Sequence, residues 1–81
     1  MKTEDILEIS DYLTSIDIEH EIESIGILVD GNSVCSKISG KTENDSYENL
    51  KKILNQHFNA RFHYTSKSDN WLMLEKIGGD E

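Results

Sequence analysis

The stretch IEHEIESIGILVDGNS, from Ile18 to Ser33, decides the fold. Ile18, His20 and Ile22 alternate with Glu19, Glu21 and Glu23. A period of two marks a strand with one face in a core and the other in water. Near Ser24 the phase slips, and the apolar set becomes Ile25, Ile27 and Val29. A β-bulge over Ser24–Gly26, which Gly26 permits, accounts for the slip. Asp30-Gly31-Asn32-Ser33 then reads as a turn between two β-rich runs, with Val34–Ser39 as the returning strand.

Upstream, Ile6, Ile9, Leu13 and Ile16 recur at helical spacing, with Glu4, Glu8 and Asp11 on the opposite side of the wheel. This predicts an amphipathic helix over residues 4–16. Thr3 is its expected N-cap, and Glu4 and Asp5 suit the positive end of the helix dipole. Downstream, Gly40–Asn44 is a polar loop, and Asp45-Ser46-Tyr47-Glu48 has the spacing of a capping box. Tyr47, Leu50, Ile53, Leu54, His57 and Phe58 share one helical face, which predicts a second helix over 46–57 closed by a left-handed cap at Asn59. Glu48 and Lys52 stand four apart in the order that favours pairing. Ala60, Phe62 and Tyr64 alternate with Arg61, His63 and Thr65 in a third strand; Lys67–Asn70 is the next turn, and Trp71–Ile77 the last strand.

The expected order is helix, hairpin, helix, hairpin. It describes an α+β domain (αββαββ) with a four-stranded antiparallel sheet and two helices packed on one face. Residues 1–77 form the single domain, and Gly78–Glu81 a disordered tail. The expected core is Ile6, Ile9, Leu13, Ile27, Val29, Leu50, Ile53, Leu54, Phe62, Leu72 and Leu74.

With 81 residues there is room for one domain. A chain of this size buries only about 60–65% of its unfolded surface, so its core is marginal. The single cysteine, Cys35, allows no intrachain disulfide, which fits a reducing compartment. The start MKTEDILEIS lacks the basic and apolar regions of a signal peptide. The longest aliphatic run, Ile27-Leu28-Val29, is far short of the ~20 residues of a membrane span. A cytoplasmic protein is expected. There is no proline, and arginine and alanine occur once each, a bias typical of AT-rich genomes such as those of low-GC bacteria, their phages and other mobile elements.

The net charge is −8, and it is unevenly spread. Residues 1–25 hold eight acids and one base, whereas residues 26–81 are nearly balanced. Such a chain avoids nucleic acid and anionic membrane and attracts basic partners. His20, Cys35, His57 and His63 lack the spacing of metal ligands, so no metal or cofactor is expected. Cys35 has no glycine elbow or adjacent base, and Gly78-Gly79 precedes no helix that could cradle phosphate. No enzyme is expected.

Two candidate surfaces remain. Glu19, Glu21 and Glu23 form one line of carboxylates, and Glu4, Glu8 and Asp11 a second; together they resemble the regular charge of a nucleic-acid backbone. The plain alternative is a solvated face that keeps a strand from aggregating. In Trp71-Leu72-Met73-Leu74, only one alternate pair can face the helices. With Leu72 and Leu74 inside, Trp71 and Met73 lie on the open sheet face beside Arg61 or His63, a composition enriched at interfaces. The expected function is a small acidic binding protein that inhibits or modulates a basic, nucleic-acid-handling protein, in the manner of anti-CRISPR, anti-restriction or nuclease-immunity proteins. The alternative is a homodimeric accessory or chaperone-like protein that uses its open sheet face.

Overall fold

A computed structural model describes residues 2–24 and 26–79. The stripe of Ile6, Ile9 and Leu13 is the buried side of helix α1 (Thr3–Ser15). Lys2, not Thr3, is its N-cap: the Lys2 N–H donates to the Asp5 carboxylate at 3.3 Å. Past Ile16 the chain reverses at Asp17, whose φ of 61° lies in the left-handed region that aspartate tolerates. The Ile18 N–H then donates to the Leu13 carbonyl at 2.9 Å. Strands β1 (His20–Ile22) and β2 (Ile27–Asp30), helices α2 (Gly31–Lys37) and α3 (Glu43–Phe58), and strands β3 (Ala60–Ser68) and β4 (Trp71–Gly79) follow. The sheet order is β1-β2-β4-β3, with every neighbouring pair antiparallel, so β1 and β3 are the edges.

The α+β class and the four-stranded antiparallel sheet match the expectation, but the described residues form three helices, not two, and the first hairpin lies elsewhere. The expected bulge over Ser24–Gly26 is a chain reversal, with the Glu23 N–H donating to the Gly26 carbonyl at 2.9 Å; Ile25 lies outside the described residues. The alternating run therefore forms both strands of a hairpin instead of one long strand. The expected turn at Asp30–Ser33 is the start of α2: the Asp30 side chain accepts the Asn32 N–H at 3.1 Å. Aspartate and glycine serve an N-cap as well as a turn, and the short run after them does not tell strand from helix. Val34–Ser39 also has no edge of β2 to pair with, because β1 and β4 occupy both. Val34 and Ile38, four residues apart, both face the core. Gly31 permits a close approach, since a Cβ there would lie 2.6 Å from the Asn70 carbonyl and 2.7 Å from the Tyr47 hydroxyl.

Helix α3 starts one turn before the expected position. Thr42 is its N-cap, accepting the Asp45 N–H at 3.1 Å, so Asp45 lies in the first turn. Asn59 closes it in the left-handed region, at φ 51°. Glu48 pairs with Lys51 at 3.3 Å instead of Lys52. Strand β4 extends past Ile77 through Gly78 and Gly79, which pair with Arg61 and Ala60; Asp80 and Glu81 lie outside the described residues.

All three helices share one core with the sheet residues Ile27, Val29, Phe62, Leu72 and Leu74. These five have the same alternation phase, so the helices cover a single sheet face. Ile53 is only half-buried, whereas Ile18, Val34, Tyr47 and Ala60 join the core unforeseen. Glu21, Leu28, Met73 and Thr65 form a register row on the opposite face.

Candidate functional site

The carboxylate ladder lies along an edge strand. Glu21 is in β1, Glu19 directly precedes it, and Glu23 begins the turn after it. All three side chains are exposed. Local bonds hold the backbone beneath them. The Ser33 hydroxyl of α2 accepts the Glu19 N–H at 2.9 Å and donates to the Asp17 carbonyl at 3.3 Å. On the other side of β1, the Ser10 hydroxyl of α1 meets His20 Nε2 at 2.7 Å. These bonds link α1, α2 and the edge strand.

Glu4, Glu8 and Asp11 are exposed on the side of α1 opposite its buried stripe. Among the described residues, none of the six predicted acids has an ion-pair partner. Asp5 differs: it meets Lys76 Nζ at 3.3 Å. Burial pushes the Asp5 carboxyl up, but the Lys76 ammonium and the Lys2 N–H outweigh it and hold the group below its usual range.

A shallow groove opens at the end of the sheet where β1 begins, lined among others by Asp17, Glu19, Glu21, Asp30, Lys37 and Trp71. It joins two features that the sequence places apart. Trp71 is opposite Asp30 in the β2–β4 register, so the half-buried indole sits at the same end of the sheet as Glu19. Asp30 is already engaged, because its Oδ1 accepts from both the Asn32 N–H and the Asn70 amide. Glu19, Glu21 and Asp17 are the exposed carboxylates of the groove, and Lys37 and His20 line it as well. Asp17, Asp30 and Lys37 follow no periodic pattern, and only the fold of the α1–β1 connection and of α2 assembles them.

The other predicted surface is less continuous. Leu72 and Leu74 face the helices, and Trp71 and Met73 the open side. Met73 is only 4% exposed, because it lies in the middle of the sheet between Leu28 and Thr65. His63 meets Glu75 at 3.4 Å. Arg61 lies at the far end of β3 from Trp71, with its guanidinium over Gly78. The structure thus spreads Arg61, His63 and Trp71 along the sheet instead of clustering them.

Tyr47 and Tyr64 form an edge-to-face pair at 5.7 Å, and their hydroxyls donate to Glu43 at 3.2 Å and Glu48 at 2.8 Å. Burial first pushes both phenols up to about 12, joined by Cys35 and then Glu43 at Tyr47 and by Glu48 at Tyr64. Among the described residues no group of three or more His, Cys, Asp or Glu could hold a metal ion, and no helix is long and apolar enough to cross a membrane. Comparison with known proteins finds no matching family model, no matching curated protein and no matching solved structure.

Proposed function

We propose that this chain is a non-enzymatic binding protein whose acidic N-terminal third engages a basic surface on a nucleic-acid-handling protein, in the manner of an inhibitor. The observation that carries it is the state of Glu4, Glu8, Asp11, Glu19, Glu21 and Glu23: all six are exposed, and none is ion-paired among the described residues. Carboxylates used for stability are paired, as Asp5 is with Lys76. Unpaired ones repel each other at some cost to the fold, and their long-range field raises the encounter rate with a cationic partner. The groove adds a place for a lysine or arginine side chain, with Glu19 and Glu21 to neutralise the charge and the Trp71 ring to receive it. Alternate strand carboxylates ~6.7 Å apart present repeated negative charge, as phosphates do to the same kind of basic surface.

The test is capture from cell lysate at low and high salt, with wild type and a Glu19→Gln, Glu21→Gln, Glu23→Gln variant. A nuclease or nucleic-acid-binding protein retained by wild type at low salt, released at high salt and lost by the variant supports the proposal. Identical capture by both proteins at both salts removes it.

A further inference from the structure

Strand β1 is short and lies at a sheet edge, and among the described residues its outer backbone groups have no partner strand. The Asp30 N–H donates to the Glu19 carbonyl, and the Glu23 N–H to the Gly26 carbonyl, both at 2.9 Å. Bonded pairs in an antiparallel ladder recur at every second residue. Glu21 is therefore bonded inward, and His20 and Ile22 turn their N–H and C=O groups away from β2. These four groups form a template for one more strand.

The side chains along this edge are sorted by face. Glu19, Glu21 and Glu23 belong to the open face, and His20 and Ile22 to the helix-covered face. On that second face Ile22 is not covered: it is 52% exposed, and Leu7 of α1 is 53% exposed. The contact between Ser10 and His20 fixes how these two residues sit. Because the chain reverses between α1 and β1, Leu7 is about 4.5 Å from Ser10 along the helix, and Ile22 about 6.7 Å from His20 in the same direction. Leu7 and Ile22 thus flank the same stretch of edge, with acids on the opposite face.

We infer that β1 accepts an added strand from the partner, an extended segment in which basic residues alternate with aliphatic ones. Its lysines or arginines would stand beside Glu19, Glu21 and Glu23, and its aliphatic side chains beside Ile22 and Leu7. This inference rests on the proposed binding of a basic partner and adds its geometry. Charge selects the occupant. A second copy paired β1 to β1 would bring carboxylates against carboxylates, which is destabilising across strands. The other edge is a poorer template at its start, where Asn55 Oδ1 of α3 already accepts the Phe62 N–H at 3.0 Å.

The experiment uses the full chain and an alternating lysine–valine peptide, followed by amide hydrogen exchange and NMR titration. Slowed exchange at His20 and Ile22, with no change at Tyr64 and Ser66 of β3, is the expected result. A peptide N-methylated at alternate backbone positions keeps its charge and loses the edge bonds, so its affinity should fall by about tenfold or more, as for two lost backbone hydrogen bonds. Equal affinity of the two peptides overturns strand addition while leaving the electrostatic proposal standing. Failure of both peptides to bind at low salt overturns both proposals. Protection at Tyr64 and Ser66, or protection of His20 and Ile22 by raised protein concentration alone, assigns the edge to another occupant and overturns the inference.

Discussion

Helix α2 is the element that distinguishes this fold from a helix-hairpin-helix-hairpin arrangement, and Val34 with Ser36 tests it. In a strand, residues two apart share a face; in a helix they are turned about 200° from one another. Val34 is fully buried, and Ser36 is exposed. Val34→Ala removes two buried carbons, a transfer loss of ~1.6 kcal/mol at ~0.8 kcal/mol each. A cavity that does not collapse adds up to ~1 kcal/mol. Alanine's better helix propensity returns ~0.5 kcal/mol. The net cost is ~1–2 kcal/mol, and in a domain of this size each kcal/mol lowers the melting temperature by roughly 4–8 °C. Ser36→Lys should stay within about 0.5 kcal/mol, as surface substitutions do. Urea and thermal denaturation of both variants are the assay. A Ser36→Lys as damaging as Val34→Ala would refute the helix and restore a strand in which both residues point inward, and a neutral Val34→Ala would refute the burial of Val34 on which the helix packs.

Asp30→Ala should cost about 1–3 kcal/mol by chemical denaturation, because it removes the cap of α2 and the acceptor of the Asn70 amide; a loss under half a kcal/mol would place Asp30 in an exposed turn. Tyr47 and Tyr64 titrate at about 12 against an ordinary value of 10, so the stability they contribute is fully present below pH 10 and is lost as the pH rises towards 12. Tyrosinate absorbance should show two late-titrating phenols in the folded protein, and three ordinary ones would contradict this packing. Asp5 titrates below its ordinary 3.8, so its contribution is present above that pH and is lost as the pH falls through the lowered value. Asp5→Asn should therefore destabilise at neutral pH and flatten the acid limb of the stability profile; an unchanged acid limb would remove the Lys76 pair from the account.

Long periodic segments were legible in the sequence. The stripes of α1 and α3, and the β3–β4 hairpin with its two-residue turn at Asp69–Asn70, follow from spacing and turn chemistry. The middle of the chain was not, for two physical reasons. A slipped phase can be a bulge or a reversal, and the choice at Ser24–Gly26 depends on which strand finds an edge. Asp-Gly can open a turn or a helix, and here the far strand β4 decides by taking the place beside β2 that Val34–Ser39 would have needed. The acids of β1 were visible one by one, but their position on an edge, and the joining of Glu19 to Trp71 in one groove, depend on pairings across the sheet. The burial of Met73 on the open face had no local signal either, because its neighbours Leu28 and Thr65 come from strands far apart in sequence.

The most direct test of the central claim is the association rate between this protein and the basic partner recovered by capture, at two ionic strengths, for wild type and for the Glu19→Gln, Glu21→Gln, Glu23→Gln variant. Complementary charge acts mainly on the on-rate, and screening shortens its reach to about 10 Å at 0.1 M salt. Much slower association of the variant at low salt, convergence of the two rates at high salt, and a stability that is equal or slightly raised by the relief of carboxylate repulsion are expected. Equal rates for the two proteins at both salt concentrations would contradict the claim and leave the ladder as a solvated face.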